Sequence, residues 1–309
     1  MAQTGSTRWV ANDGCAEHSA LRPLSLPALC VALLKLRIGL AIALSGLAGM
    51  AVAAGQLPGL TDLAVFGLAV LVAAGGAGAF NHWFDRDIDA VMGRTRTRPF
   101  ASGQLSSSVV WPLVFFLLML VGSLIVVARF GLASGAMVLA GALTYAVIYT
   151  VWLKRRTHWN IVIGGAAGSW AVLAGAAAAG GLDSTAVWAL AVVLFLWTPS
   201  HFWSLAVALA DDYRRAGVPM LPVTSGRGRA VRWNLVNTLV LVAAGLVLAW
   251  LVGAWPLWLA TIAGGGWLLW KTLRMVANPE RGPALSAFKA SLIQLGVLLL
   301  GLFFAYVLP

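Results

Sequence analysis

Long apolar runs alternate with short polar connections along most of the chain. A helix needs about 20 apolar residues to cross the hydrocarbon core of a bilayer, so runs of that length predict membrane spans. The sequence contains nine of them, at residues 33–54, 62–84, 109–128, 132–153, 160–180, 186–208, 233–253, 255–273 and 289–308. The pattern therefore predicts an all-α fold, a polytopic membrane helical bundle with nine transmembrane helices.

Composition supports a single membrane domain, because 61% of the residues are hydrophobic and only 10% are charged. Residues 1–27 contain no apolar run, which predicts a polar cytoplasmic tail rather than a signal peptide. Residues 28–309 then form the membrane domain. The two cysteines, Cys15 and Cys30, offer neither a disulfide framework nor the spacing of a metal site.

A net charge of +11 first suggests a nucleic-acid partner, but the basic residues follow membrane topology instead. When the connections are assigned alternately to the two sides, Arg129 is the one basic residue of 21 that falls on the opposite side. The positive-inside rule then predicts a cytoplasmic N-terminus and an outside C-terminus. We therefore expect a multi-pass protein of the cell inner (plasma) membrane, in contact with membrane lipid and not with nucleic acid.

Acidic residues are rare and clustered: five of the ten in the chain lie in two short segments. In the first segment Asn81, Asp85 and Asp89 recur at intervals of four, which places them on one face of a helix. Asp87 lies between them and should point the opposite way, as a solvated or arginine-paired residue. The stripe begins at the end of an apolar span, where carboxylates are costly and usually functional.

Oxygen ligands on one helix face suit Mg²⁺, which also binds substrate phosphates, so we expect Asn81, Asp85 and Asp89 to bind this metal. The alternative is an exposed helix end with ordinary charges. The next loop contains Arg94 and Arg98, whose planar guanidinium groups suit phosphate, although inner loops are rich in arginine anyway.

The second acidic segment, Asp211-Asp212, follows the sixth predicted span on the same side of the membrane. Adjacent aspartates cannot share one helix face, so a frayed helix end opening into a Gly/Pro-rich loop is expected. Carboxylates converging from two helices would form a catalytic diphosphate clamp, in which bound metal neutralises charge on the leaving group.

The motifs N-x-x-x-D-x-x-x-D and M-x-R-T-x-x-R-P, nine spans and a second acidic loop together resemble the UbiA-type intramembrane prenyltransferases. Within that superfamily, the segments 154–165, 197–203 and 211–223 resemble the protohaem IX farnesyltransferase family, also called haem o synthases. The chain departs from that family's pattern at Ala210, where a basic residue is usual, and at Ser200, where a second proline is usual. Leu36 likewise stands where a proline is often found.

The resemblance implies an enzyme that binds Mg²⁺ and farnesyl diphosphate through Asn81, Asp85 and Asp89, and in which Asp211 and Asp212 complete the clamp and its metal ligands. It implies haem b as the acceptor, alkylated and hydrated at a vinyl group to give haem o for terminal oxidases, at a site facing the cytoplasm. The candidate substrate-binding residues are Arg94, Arg98, Lys154, Arg155, Asn160, His201, Tyr213 and Arg215. We expect Arg94 and Arg98 to serve the diphosphate, and Lys154, Arg155 and Arg156 to hold the haem propionates.

Three alternatives stay open at the level of sequence. His201 is either a haem contact or a hydrogen-bonded core histidine. The enzyme could be a UbiA-type prenyltransferase acting on an aromatic acid or a quinol, although the segments around Asn160 and His201 argue against this. A membrane transporter would also bury acidic residues, but it would not be expected to place both clusters beside an arginine loop. Association with a downstream haem-modifying enzyme has no signature readable from sequence.

Overall fold

A computed structural model describes residues 25–307, so most of the predicted polar tail lies outside the described part of the chain. The regular secondary structure of that part is entirely helical and includes no strand. Its α-helices are α1 (Leu26–Leu34), α2 (Leu36–Ala54), α3 (Leu60–Phe84), α4 (Arg86–Val91), α5 (Val110–Phe130), α6 (Leu132–Leu143), α7 (Asn160–Gly164), α8 (Ala166–Ala178), α9 (Thr185–Ala208), α10 (Ala210–Arg215), α11 (Leu221–Ser225), α12 (Arg227–Val252), α13 (Trp255–Ala277) and α14 (Arg281–Ala305). A π-helical segment, Thr144–Leu153, continues α6.

The all-α membrane bundle is confirmed: within residues 25–307, eight helical segments are long and apolar enough to cross a membrane. The remaining predicted span, residues 255–273, is the eighth in chain order and corresponds to α13, which is long enough at 23 residues. It falls short in hydropathy because it contains four tryptophans, a run of three glycines and the charged residues Lys271 and Arg274. The count of nine spans and the sidedness of the termini therefore stay predictions.

The long helices pack as two neighbouring groups. One group contains α2, α3, α5, α6 and α8, and the other contains α9, α12, α13 and α14. Contacts of α9 with α8 and α2, and of α14 with α2, join the groups. The short helices α4 and α10 follow the long helices α3 and α9, and α11 precedes α12. All three contribute to one apolar cluster, so both acidic segments lie at the same end of the bundle.

Small residues let these helices approach closely, as expected for helix packing in lipid. A Cβ added at Gly175 of α8 would lie 1.8 Å from the carbonyl oxygen of Gly46 in α2. One added at Gly76 of α3 would lie 2.6 Å from the carbonyl oxygen of Phe115 in α5.

Two irregularities shape the end of the bundle that contains the acidic segments. Asp85 interrupts the helix between α3 and α4, although the backbone bonds of Asp85 N to Asn81 O and of Asp89 N to Asp85 O keep the i to i+4 pattern. The π-helical segment ends with Lys154 N donating to the carbonyl oxygen of Tyr149, five residues back. Such wide turns occur frequently at functional sites, and this one precedes a lysine of the acidic site.

Candidate active site

The stripe predicted from spacing is present, and it is buried. Asn81 is 4% exposed, Asp85 is fully buried and Asp89 is 2% exposed. Asp87 faces away, with a side chain that is 63% exposed. The unbroken i to i+4 backbone bonding explains why the three residues share a face in spite of the interruption at Asp85.

Asp85 and Asn81 form the centre of a hydrogen-bonded network. Lys154 Nζ lies 2.5 Å from Asp85 Oδ2, and Asn81 Nδ2 donates to the same oxygen at 2.6 Å. Asn81 Nδ2 also lies 3.1 Å from Thr150 Oγ1. The π-helical segment and the residue after it therefore supply two partners of the stripe, one hydroxyl and one buried cation.

Lys35 completes this network, and sequence analysis did not assign it to the site. Its Nζ donates to Asn81 Oδ1 at 2.6 Å and lies 3.2 Å from the hydroxyl oxygen of Tyr145. Lys35 separates α1 from α2 and has φ +48°, a left-handed conformation uncommon for a residue with a side chain. No local sequence signal predicts this turn, because the apolar run continues on both sides of Lys35.

The second carboxylate of the stripe is held by the arginine loop. Arg98 Nη1 lies 2.7 Å from Asp89 Oδ2, and Thr95 Oγ1 donates to the carbonyl oxygen of Asp89 at 3.1 Å. Arg98 is only partly exposed, whereas Arg94 in the same loop is exposed. The loop therefore folds back onto the stripe through Arg98.

Asp87 forms an ion pair on the opposite face of α4. Arg155 donates to both of its carboxylate oxygens, at 2.7 and 2.8 Å. These hydrogen bonds lower the pKa of Asp87 below its usual value and raise the pKa of Arg155. Arg155 also reaches toward the stripe, with Nη2 3.6 Å from Asp85 Oδ1. Asp87 is thus the arginine-paired residue that the helical spacing predicts.

The second acidic segment forms the short helix α10, which starts after an interruption at Leu209. Asp211 is 60% exposed and pairs with Arg214 at 2.6 Å and with Arg227 at 2.9 Å. Asp212 is 17% exposed and pairs with Arg215. The expectation of a frayed helix end is wrong, because both aspartates lie in the regular helix α10; as expected, they point to different partners.

The two acidic segments lie against each other. A Cβ added at Gly93, just after α4, would lie 3.9 Å from Asp212 Oδ2. Ile88 and Met92 share an apolar cluster with the buried ring of Tyr213 and with Val218. Of the two aspartates, Asp212 is therefore the one that faces the first segment. Tyr213 supports this contact by packing.

Asn160 and His201 have partners within the protein. Asn160 is fully buried, and its Nδ2 donates to the carbonyl oxygen of Lys154 at 3.3 Å. This hydrogen bond holds the backbone of Lys154 in place. His201 stacks on Trp197 and Phe288, each with a ring-centre separation of 4.4 Å, and its Nδ1 lies 2.8 Å from Ser291 Oγ. These contacts describe a hydrogen-bonded core histidine, one of the two interpretations that the sequence left open.

The stripe has the donor chemistry of a magnesium site. Asn81 and the two carboxylates offer hard oxygen ligands, and Asp85 Oδ1 is buried without a hydrogen-bond partner among the described residues. Within residues 25–307, no three His, Cys, Asp or Glu side chains group closely enough to hold a metal. The third donor of the stripe is the amide of Asn81.

Comparison with known proteins agrees with this geometry. Residues 42–306 match the model of the UbiA prenyltransferase family. Protoheme IX farnesyltransferase 2 of Paramagnetospirillum magneticum is 52% identical over 268 residues, which cover 86% of this chain and 92% of the relative. Protoheme IX farnesyltransferase of Symbiobacterium thermophilum is 46% identical over 240 residues, covering 76% and 78% of the two chains.

Solved structures show the same fold. A UbiA homolog from Archaeoglobus fulgidus bound to DMAPP and Mg²⁺ superposes with a TM-score of 0.70, covering 91% of this chain and 99% of that one at 16% identity. An apo UbiA homolog from Aeropyrum pernix K1 gives a TM-score of 0.66 over 88% of this chain and 98% of that one, at 19% identity. At these identities the likeness concerns the fold alone. Fold, buried acidic stripe and family match agree, and the chain belongs to the UbiA prenyltransferase family.

Proposed function

We propose that this protein transfers a farnesyl group from farnesyl diphosphate to a vinyl group of haem b and so forms haem o for terminal oxidases. The electron pair of the vinyl group bonds to carbon 1 of the farnesyl group as diphosphate departs, and water captures the resulting carbocation and loses a proton, which leaves the hydroxyl group of the product. The observation that carries the proposal is the buried stripe of Asn81, Asp85 and Asp89 in a chain whose relatives are named protoheme IX farnesyltransferases.

Asn81, Asp85 and Asp89 would hold Mg²⁺ on the first acidic segment, and Asp211 and Asp212 would complete the clamp. Bound metal would neutralise the charge that develops on the departing diphosphate. Asp212 is the better placed of the second pair, because it is largely buried and faces the first segment, whereas Asp211 is exposed.

The buried and half-buried cations of the site would bind the diphosphate once metal occupies the carboxylates. Arg98 and Lys154 neutralise Asp89 and Asp85 directly, so both belong to the diphosphate side of the site. This differs from the expectation that Lys154 holds a propionate, because the π-helical turn brings Lys154 to Asp85. Arg94, exposed in the same loop as Arg98, is free to meet the outer phosphate.

A farnesyl cation survives only where water is excluded. The helices around the stripe provide such shielding, since Asn81, Asp85 and Asp89 are almost inaccessible and Asn160 supports Lys154 from inside the bundle. Our proposal needs no protein nucleophile. It places the active site at the cytoplasmic face of the inner membrane, where Mg²⁺ and diphosphate are soluble.

A direct test is to supply purified full-length protein, in lipid nanodiscs, with haem b, farnesyl diphosphate and Mg²⁺ and to weigh the extracted haem. Formation of haem o would support the proposal. In a parallel assay, an aromatic acid or a quinol replaces haem b. If that acceptor is prenylated and haem b stays unchanged, the protein is a prenyltransferase with a different acceptor. Unchanged substrates throughout would refute prenyl transfer.

A further inference from the structure

Two adjoining clefts open beside the acidic stripe, on the exposed face of α4. The first, about 360 Å³, lies between α4 and the turn after α10. The second, about 320 Å³, lies beside the end of α3. Asp87 and Arg155 line both clefts, so their ion pair forms the ridge between them. Each volume falls within the range of small-molecule sites.

Positive charge predominates around these clefts. Arg155 and Arg215 line the first cleft, and Arg86 and Arg155 line the second. Among the described residues, Asp87 is the one carboxylate in either lining. A guanidinium group has five N–H donors, so Arg155 keeps donors for a ligand in addition to those that meet Asp87. The linings therefore suit carboxylates, which arginine binds in a planar, two-point geometry.

The same clefts have apolar walls that suit a flat ring. Ile88 and Val91 line the first cleft, and Val91 is 53% exposed. Trp83 and Phe84 line the second. The guanidinium group of Arg86 lies 5.0 Å from the ring centre of Trp83, and that of Arg155 lies 5.1 Å from the ring centre of Phe84. Exposed apolar side chains beside paired arginines match a ligand that combines an aromatic surface with more than one carboxylate.

The clefts also adjoin the reaction site. Arg155 Nη2 lies 3.6 Å from Asp85 Oδ1, so a group bound to Arg155 on the outer side lies next to the stripe on the inner side. An acceptor held by Arg155 would therefore lie beside the stripe, which brings the two substrates of the transfer together.

We propose that the clefts flanking the Asp87–Arg155 pair bind the propionate edge of haem b, with Arg155, Arg215 and Arg86 meeting the two carboxylates. Trp83, Phe84, Ile88 and Val91 then contact the adjoining edge of the macrocycle. This subsite rests on the proposed function, because it names where the acceptor of that reaction binds.

Binding of haem b to the full-length protein, followed by its Soret absorbance without farnesyl diphosphate, tests the subsite. Haem b dimethyl ester is the matched ligand, since it lacks only the propionate charges. We expect Arg155→Gln to weaken binding of haem b about tenfold, as loss of a charge-assisted contact would, and to leave binding of the ester unchanged. Arg229→Gln, an exposed arginine of α12 that lines neither cleft, is the control and should change neither affinity.

Equal affinities of the wild-type protein for haem b and its ester would overturn the subsite without any variant. So would equal losses in Arg155→Gln and Arg229→Gln. If Arg155→Gln fails to fold, Arg215→Gln gives the same comparison from the other wall of the first cleft. Wild-type protein that makes haem o but shows no ester effect would refute the subsite alone, whereas protein that makes no haem o would refute the proposed function.

Discussion

Replacing Asp85 by asparagine removes one negative charge from the centre of the acidic stripe and keeps the shape of the side chain. Asp85 is fully buried, and its Oδ2 accepts hydrogen bonds from Lys154 and Asn81. In the Asp85→Asn variant the proposed metal site loses a charged ligand. The variant also leaves the Lys154 ammonium, itself 10% exposed, without its counter-charge.

Loss of the metal ligand should lower turnover, and loss of the counter-charge of Lys154 should lower stability. If the ion stabilises the departing diphosphate by at least ~2.7 kcal/mol, turnover falls by about a hundredfold or more. Breaking a buried ion pair by removing one partner costs about 3–5 kcal/mol of stability. The Asp85→Asn, Lys154→Met double variant removes both charges and should regain much of that stability, but it cannot regain the metal ligand.

Steady-state formation of haem o and thermal unfolding in detergent should therefore be measured on both variants. Asp87→Asn is the matched variant, because Asp87 is the same residue type two positions away but pairs with Arg155 outside the stripe. Since Asp87 lines the proposed haem clefts, turnover is compared at saturating haem b, where loss of a carboxylate that is not a metal ligand should cost less than about fivefold, or about 1 kcal/mol. Equal losses in Asp85→Asn and Asp87→Asn, or recovery of turnover in the double variant, would refute the role of the stripe.

Three further predictions concern the arginine loop, the role of His201 and the membrane topology of the chain. Arg98→Gln should raise the KM for farnesyl diphosphate more than that for haem b, and equal shifts would show that the loop acts through folding. His201→Ala should lower the unfolding temperature and leave the KM for haem b unchanged, because the ring of His201 contacts protein side chains. A selective rise in that KM would favour the interpretation of His201 as a haem contact. In a background without native cysteines, Gly228→Cys should be labelled from the cytoplasm and Gly59→Cys from outside. The reverse pattern would contradict the predicted topology.

The sequence predicts much of this architecture, because apolar runs report helices in lipid directly. The second predicted span ended at residue 84, where α3 ends, and the spacing of Asn81, Asp85 and Asp89 correctly separated them from Asp87. These features depend on local periodicity alone. The roles of the residues in metal and substrate binding stay predictions.

What the sequence did not show depends on contacts between distant segments. Lys35 reaches Asn81 only because the chain turns through a left-handed residue, and Lys154 reaches Asp85 only because a π-helical segment precedes it. Neither turn contains a glycine or a proline to indicate it. The helix α1 was likewise missed, because it starts at Leu26, inside the segment assigned to the polar tail.

The ion pairs of Asp85 with Lys154 and of Asp89 with Arg98 also bear on how the protein is made. Each carboxylate has a cation from its own chain, so the newly synthesised bundle does not need to bury an unpaired charge while it inserts into the membrane. We therefore expect the bundle to assemble without the divalent ion. Under the proposed magnesium requirement, cells starved of magnesium should accumulate folded, inactive protein that becomes active when the ion returns, without new protein synthesis.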